Sequence, residues 1–274
     1  MSGFLATVCA EARERVARAA ATVPLDALID QASRVPAPAS LSEALQRPGV
    51  GVIAEVKRAS PSRGPLADIP DAPALAAAYV HGGAVAVSVL TEPAHFRGSI
   101  DDLRAVTAAV NAPVLRKDFV VDRYQIWEAR EAGAAAVLLI VAALEQDDLA
   151  ELVADADGAG LSALLEVHSE VEVTRAVGAY EAAGVTGRPL LGVNARDLTT
   201  LQVDPDRFAV LRPVLPEGAV LVAESGVRDA GDVERLGALG VDAVLVGESV
   251  ATAGNPRGAV EALVAAGERA AVRS

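Results

Sequence analysis

Residues 50–57, VGVIAEVK, carry the pattern on which the fold turns: Val50 to Ala54 run apolar or small without a break, and charge arrives only at Glu55 and Lys57. An unbroken apolar run, in place of apolar and polar residues in alternation, marks a parallel strand covered on both faces. Downstream comes an Ala-rich stretch, ALAAAYVHGG (74–83), whose closing glycines suit the left-handed turn that ends a helix. The pair recurs at intervals of about 25 to 35 residues. The later runs are AVAVSVLTE (84–92), APVLRKDF (112–119), AAAVLLIVA (134–142), SALLEVHS (162–169), PLLGVNARD (189–197), AVLVAES (219–225) and DAVLVGES (242–249). Helical segments such as IDDLRAVTAAV (100–110), RYQIWEAREAGA (123–134), QDDLAELVADADGAG (146–160) and AGDVERLGALG (230–240) lie between them.

Eight strand–helix units in one chain close into a barrel, whereas an open doubly wound sheet tends to stop sooner and to carry a glycine-rich first turn. No G-x-G-x-x-G follows the first strand, and 274 residues is close to the usual size of a barrel. The expectation is an α/β protein, a (β/α)8 TIM barrel with an N-terminal helical extension, forming a single domain over 1–274. Residues 51–253 supply the eight units and 254–274 a C-terminal helix. Residues 1–50 read as two helices joined near Pro24, then a Pro-rich stretch, and are too short to bury a core alone.

Hydrophobic residues make up 52% and charged residues 22%, the balance of an ordinary globular chain. No apolar run is long enough to span a bilayer, and the N-terminus has no basic residue ahead of its apolar patch, so neither a membrane span nor a signal peptide is expected. A lone cysteine, Cys9, permits no internal disulfide. His81, His95 and His168 are scattered, without the spacing of a zinc site, so the expectation is a cytoplasmic protein with no metal and no organic cofactor. A net charge of -13 argues against nucleic acid as a partner but leaves room for a small anion in a local basic pocket.

In such a barrel the working residues sit at the C-terminal ends of the strands. Those ends carry Glu55 and Lys57, Arg116, Lys117 and Asp118, Glu166, Asn194 and Arg196, Glu224 and Ser225, and Glu248 and Ser249. A single polar residue there is usually a solvated rim charge, but two lysines and several carboxylates at one mouth shift one another's ionisation, as acid–base chemistry requires. The spacing of two puts Glu55 and Lys57 on one face of the first strand. Lys117, among Val114, Leu115 and Phe119, is placed to donate a proton or to form a Schiff base, and spacing does not separate these. AESGV and VGES, after strands seven and eight, put Ser and Gly where barrels commonly bind phosphate, with Lys57 and Arg196 as sources of positive charge. The loop RASPSRGPL (58–66) reads as a mobile lid.

These residues bring a resemblance into view. IAEVKRASPSRG (53–64), VLRKDFVVDRYQIWEAR (114–130), LLEVHS (164–169), GVNARDL (192–198), AESGV (223–227) and DAVLVGES (242–249), in this order and across the whole barrel, closely resemble the indole-3-glycerol-phosphate synthase family. EVK-x-x-SPS and LRKDF are the specific motifs, while the SG and GES turns are shared with many phosphate-binding barrels. The resemblance implies a helical extension packed over the mouth. It also implies ring closure of 1-(o-carboxyphenylamino)-1-deoxyribulose 5-phosphate, with loss of carbon dioxide and water, to indole-3-glycerol phosphate in tryptophan biosynthesis.

By the same resemblance Lys117 protonates the ketone oxygen, and Lys57, Glu55 and Glu166 are the candidate donor and base for dehydration. Asn194 and Glu224 orient and stabilise the intermediate. Ser60, Arg196, Ser225, Gly226, Gly247 and Ser249 hold the substrate, mostly through its phosphate, and Phe119 and Leu144 offer apolar walls to the anthranilate ring. Arg97, where a second glycine is common, and Ala195 beside Asn194 depart from the family pattern and bear on local loop geometry. The partner expected is a small phosphorylated substrate, taken by a monomer or weak oligomer with neighbouring tryptophan-pathway enzymes as candidate associates. The rivals are phosphoribosylanthranilate isomerase, which would need a strand-one cysteine that this chain lacks, a Schiff-base aldolase using Lys117, and a non-catalytic ligand-binding barrel.

Overall fold

The computed structural model describes residues 3–197 and 200–271. Eight parallel strands, β1 (Gly51–Val56), β2 (Ala86–Leu90), β3 (Val114–Lys117), β4 (Ala136–Ile140), β5 (Ser162–Val167), β6 (Leu190–Asn194), β7 (Val220–Glu224) and β8 (Ala243–Val246), close into a barrel in chain order, with β8 pairing back onto β1. Each strand lies within one of the eight apolar runs. Every run continues past its strand by one to three residues, and these continuations form the polar mouth.

Because side chains alternate across a strand, the register decides what faces inward. Glu55 pairs with Ser88, Leu90 with Lys117, Ile140 with Glu166, and Asn194 with Glu224. Leu115, Leu138, Leu164 and Val222 fill the barrel below them, each at most 2% exposed. The odd residues of β3 therefore point in, while Arg116 turns outward, where it pairs with Asp118 at 3.2 Å and Glu128 at 2.8 Å. Arg116 is a buried structural cation and does not line the cavity.

The helices of the outer ring start on side-chain caps: Asp71, Ser99, Ser169 and Asp229 accept from Ala74, Asp102, Glu172 and Asp232 backbone N–H groups. The C-terminal helix Pro256–Ala271 packs on the helices Ala230–Ala238 and Ala72–His81, bridging the last and first units. Its Gly267 lies so close to β1 that a Cβ there would meet the carbonyl of Val50.

The extension contributes α1 (Gly3–Thr22), α2 (Leu25–Ser33) and α3 (Leu41–Leu45). At the mouth, the α1 residue Arg15 donates to Asp118 at 2.8 Å and Glu11 faces His95 at 3.0 Å. Beyond it, α2 packs on the helix Arg123–Glu131, where the Tyr124 hydroxyl donates to the carbonyl of Val23 and Arg130 to that of Val35. α3 lies at the other end, its Ser42 N–H donating to the hydroxyl of Ser162, the first residue of β5. The extension thus runs from mouth to floor, burying Leu5, Val8, Cys9, Ala12, Leu28, Leu41 and Leu45.

In the loop after β2, Arg97 sits at φ 55°. That left-handed conformation costs a non-glycine residue roughly 1–2 kcal/mol. Arg97→Gly is expected to stabilise the protein despite the freer unfolded chain, raising Tm by roughly 2 °C. A lower Tm in calorimetry would mean that Arg97 makes contacts worth more than the strain.

Candidate active site

The inward residues at the strand ends surround a cavity of about 500 Å³. Glu55, Lys57, Lys117, Glu166, Asn194 and Glu224 meet on its floor and walls, each from a strand end. Lys57 Nζ lies 2.9 Å from Glu55 Oε1, and Ser88 donates to the other oxygen of Glu55. Lys117 Nζ stands between Glu166 Oε2 at 3.4 Å and Glu224 Oε2 at 3.3 Å. Two glycines make room for this array. A Cβ on Gly192 would fall 2.1 Å from Glu224 Oε1, and one on Gly247 would fall 2.4 Å from Glu55 Oε1.

Glu55, Glu166 and Glu224 are buried and the Lys117 side chain is 15% exposed, so each ionisation depends on the others. Desolvation works against the Lys117 ammonium, but the carboxylates of Glu224, Glu166 and Glu55 outweigh it and hold its pKa above the ordinary lysine range. Desolvation raises Glu55 and Glu166 too, yet both end below the usual carboxylate range: Lys57 and Lys117 lower the first, Lys117 and His168 the second. Glu224 goes the other way. Burial, reinforced by the negative charge of Glu166 and only partly offset by Lys117, pushes it up to about 8. One site thus holds an ionised carboxylate and a carboxyl that keeps its proton near neutral pH, the division of labour that acid–base chemistry needs. Neither oxygen of Glu224 makes a hydrogen bond of good geometry among the described residues, and its Oε2 is held only by the ion-pair contact with Lys117 at 3.3 Å.

One wall is built from the turns after β7 and β8. Ser225 at φ 65° and Gly226 at φ 78° turn the backbone sharply, and a non-glycine residue held there is strain of the kind that collects at working sites. Ser60, Ser225, Gly226, Gly247 and Ser249 share this region of the cavity lining with Arg196 and Arg228. The 58–66 segment, expected as a mobile lid, is held as a short hairpin, Ala59–Ser60 against Gly64–Pro65. Arg58 grips Asp102 at its base and Arg63 reaches Glu248 at 2.6 Å across the mouth. Arg196 also ties down this side, donating to the carbonyl of Leu201 at 2.8 Å and to Ser62 at 3.4 Å.

The opposite wall is apolar. Phe119 meets Phe4 edge-on at 6.3 Å and Phe96 at 6.2 Å, with Leu90, Leu138 and Ile140 beside them. Leu144 does not belong to it. β4 ends at Ile140, and the 3-10 turn Val141–Ala143 carries the chain away from the axis, so Leu144 is buried beside that turn and is absent from the cavity lining. Sequence reasoning missed Phe4, which reaches the site from the extension and has no motif around it, and Phe96, next to Arg97. It also missed His168, whose place beside Glu166 was legible as an i,i+2 relation at a strand end.

A closed parallel barrel with a lysine–carboxylate array at its C-terminal mouth, beside a Ser- and Gly-lined turn pair, has the form of a (β/α)8-barrel enzyme. The family model for indole-3-glycerol phosphate synthase matches residues 5–263. The chain is 54% identical over 255 residues to the indole-3-glycerol phosphate synthase of Mycolicibacterium vanbaalenii, covering 93% of this chain and 91% of that one. It is 52% identical, at the same coverage, to those of Mycolicibacterium smegmatis and Mycobacterium tuberculosis. Among solved structures, 3-hexulose-6-phosphate synthase from Salmonella typhimurium shares the fold at a TM-score of 0.63 and 17% identity, covering 82% of this chain and 99% of that one. The chain belongs to the indole-3-glycerol phosphate synthase family. Its activity is that of the family, a carboxy-lyase step of tryptophan biosynthesis on a phosphorylated substrate. Among the described residues no helix is long and apolar enough to cross a membrane.

Proposed function

We propose that the mouth residues divide the family's reaction, the ring closure of 1-(o-carboxyphenylamino)-1-deoxyribulose 5-phosphate, as follows. The anthranilate ring lies against Phe119, Phe96 and Phe4, and the phosphate sits in the turns of Ser225, Gly226, Gly247 and Ser249, with Ser60, Lys57 and Arg196 facing it. The ketone oxygen then meets Lys117. As the ring carbon bearing the carboxylate attacks the ketone carbon, the Lys117 ammonium gives its proton to the oxygen that becomes a hydroxyl, and carbon dioxide leaves. Departure of that hydroxyl as water takes a second proton, from Lys57, while Glu166 removes one from the ring system. Asn194 and the protonated Glu224 hold the intermediate by hydrogen bonds. The observation that carries this reading is Lys117 Nζ between Glu166 at 3.4 Å and Glu224 at 3.3 Å, beneath an apolar wall. Formation of indole-3-glycerol phosphate by the purified chain, followed by indole fluorescence, tests it, and absence of product would sink the assignment. Borohydride trapping separates it from the aldolase reading, which requires a substrate adduct on Lys117.

The phosphate site has its own test. Ser249 lines the cavity and donates to the carbonyl of Val227 at 3.3 Å. Ser249→Asp sets a carboxylate beside the phosphate, and the repulsion is expected to raise KM about tenfold or more with a smaller change in kcat. An unchanged KM places the phosphate elsewhere. The chain is also proposed to act as one domain, as a monomer or weak oligomer in the cytoplasm. Among the described residues the exposed large apolar side chains, Val171, Val203, Val210 and Val214, are valines, and Cys9 is buried and unpaired.

A further inference from the structure

His168 stands directly behind Glu166. β5 ends at Val167, and the following helix, Glu170–Ala182, begins on a Ser169 cap: its hydroxyl accepts from the Glu172 N–H and donates to Glu172 Oε1 at 3.2 Å. The other carboxylate oxygen of Glu172 takes two contacts from one residue, the backbone N–H of His168 at 2.8 Å and its ring Nδ1 at 3.1 Å. The helix start therefore clamps the imidazole. Its Nε2 is left 3.4 Å from Glu166 Oε1, while the other oxygen of Glu166 faces Lys117.

Both ring nitrogens thus look at carboxylates. A neutral imidazole has one N–H and one lone pair, so whichever tautomer it took, a lone pair would face an anionic oxygen. Only the imidazolium puts a positive charge between the two carboxylates, hydrogen-bonded to Glu172 and paired with Glu166 by charge alone, since neither His168 Nε2 nor Glu166 Oε1 makes a hydrogen bond of good geometry among the described residues. The groups that face it are Glu172 from the capped helix, Glu166 from β5, and Arg207, whose positive charge opposes it and whose side chain donates to the carbonyl of Asn194. Beyond Glu166 lie Lys117, Glu224 and Glu55. Glu55 has its own cation in Lys57 at 2.9 Å, which leaves Lys117 shared between Glu166 and Glu224. The imidazolium adds a further positive charge on the Glu166 side alone.

We propose that His168 is a positioning residue for the reaction: clamped by Glu172, its imidazolium aims Glu166 at the cavity and keeps it ionised, leaving the proton on Glu224. This rests on the reading of Glu166 as the base. A helix-capping role alone would affect stability without favouring one carboxylate over the other.

The test is the pH profile of kcat/KM for the parent, His168→Gln and Glu166→Gln, with 15N NMR of the histidine rings of the parent. In His168→Gln the acidic limb is expected to move up by about one to two pH units, as befits loss of a cation in contact with a carboxylate. In the parent at pH 7.5 the ring signal absent from the His168→Gln spectrum should have both nitrogens protonated. A neutral ring, or an acidic limb that stays in place while Glu166→Gln is inactive, overturns the role of His168 alone. Retained turnover in Glu166→Gln overturns Glu166 as the base, and the role of His168 with it. If His168→Gln does not fold, Glu172→Gln releases the clamp, and its limb must move in the same direction by a smaller amount; a limb that stays in place there overturns the proposal.

Discussion

Lys117→Met is expected to lower kcat by roughly 10²- to 10⁴-fold, the usual loss when a general acid is removed, with KM nearly unchanged. Methionine keeps the length and apolar bulk of the lysine stem, so no large cavity opens. The electrostatic consequence is larger than the steric one. Lys117 lies within 3.4 Å of both Glu166 and Glu224, and without it these buried carboxylates lose their shared cation. Their proton affinities rise, and the folded protein holds protons that the unfolded chain releases, so its stability falls with increasing pH. The barrel should remain folded at pH 6, and the Tm deficit against the parent should widen by pH 9. Steady-state kinetics beside thermal unfolding at the two pH values checks both parts. Retention of most of kcat would remove Lys117 from the role of acid.

Glu224→Gln is expected to separate activity from stability in the opposite sense. Burial and the charge of Glu166 raise the Glu224 pKa from its ordinary 4.5 to about 8, so between these values the folded state binds a proton that the unfolded state does not. Stability then falls as pH rises through this window, and the loss is complete above about pH 8. Glutamine fits the same space and does not ionise. The variant should match the parent near pH 5 and become progressively more thermostable up to pH 8, with no further gain beyond. Its kcat should fall by roughly tenfold, because an amide N–H is a weaker donor to the intermediate than a carboxyl O–H. A Tm difference that does not change with pH would show that Glu224 titrates in the folded protein much as it does in the unfolded chain. Strained or like-charged working sites commonly give stability back when they are neutralised.

Much of this was legible one residue at a time. Unbroken apolar runs such as VGVIAEVK and AAAVLLIVA declare parallel strands because a strand covered on both faces has no use for alternation. The polar residues that end those runs declare the mouth, since in a barrel all eight C-terminal ends point the same way. That is how Glu55, Lys57, Lys117, Glu166, Asn194 and Glu224 could be gathered from five separate strand ends. Arg116, at the same strand end, faces outward because its neighbour Lys117 faces in, and alternation allows only one of the two to face the axis. Leu144 lies outside the cavity lining for a related reason: the strand ends four residues earlier, at Ile140, and a 3-10 turn follows.

The sequence by itself determined the alternating units, the closure of the barrel, the identity of the mouth residues and the family. These depend on local pattern and on motifs carried within single strand–turn segments. Tertiary structure alone decided that Phe4 completes an aromatic wall from the far end of the chain and that Lys117 bridges Glu166 and Glu224. It also decided that His168 is clamped behind Glu166 and that Glu224 keeps a proton which Glu166 gives up. The physical reason is that orientation, burial and charge coupling depend on distances across the barrel, and residues more than a hundred positions apart come within 3.4 Å only once the last strand has closed onto the first.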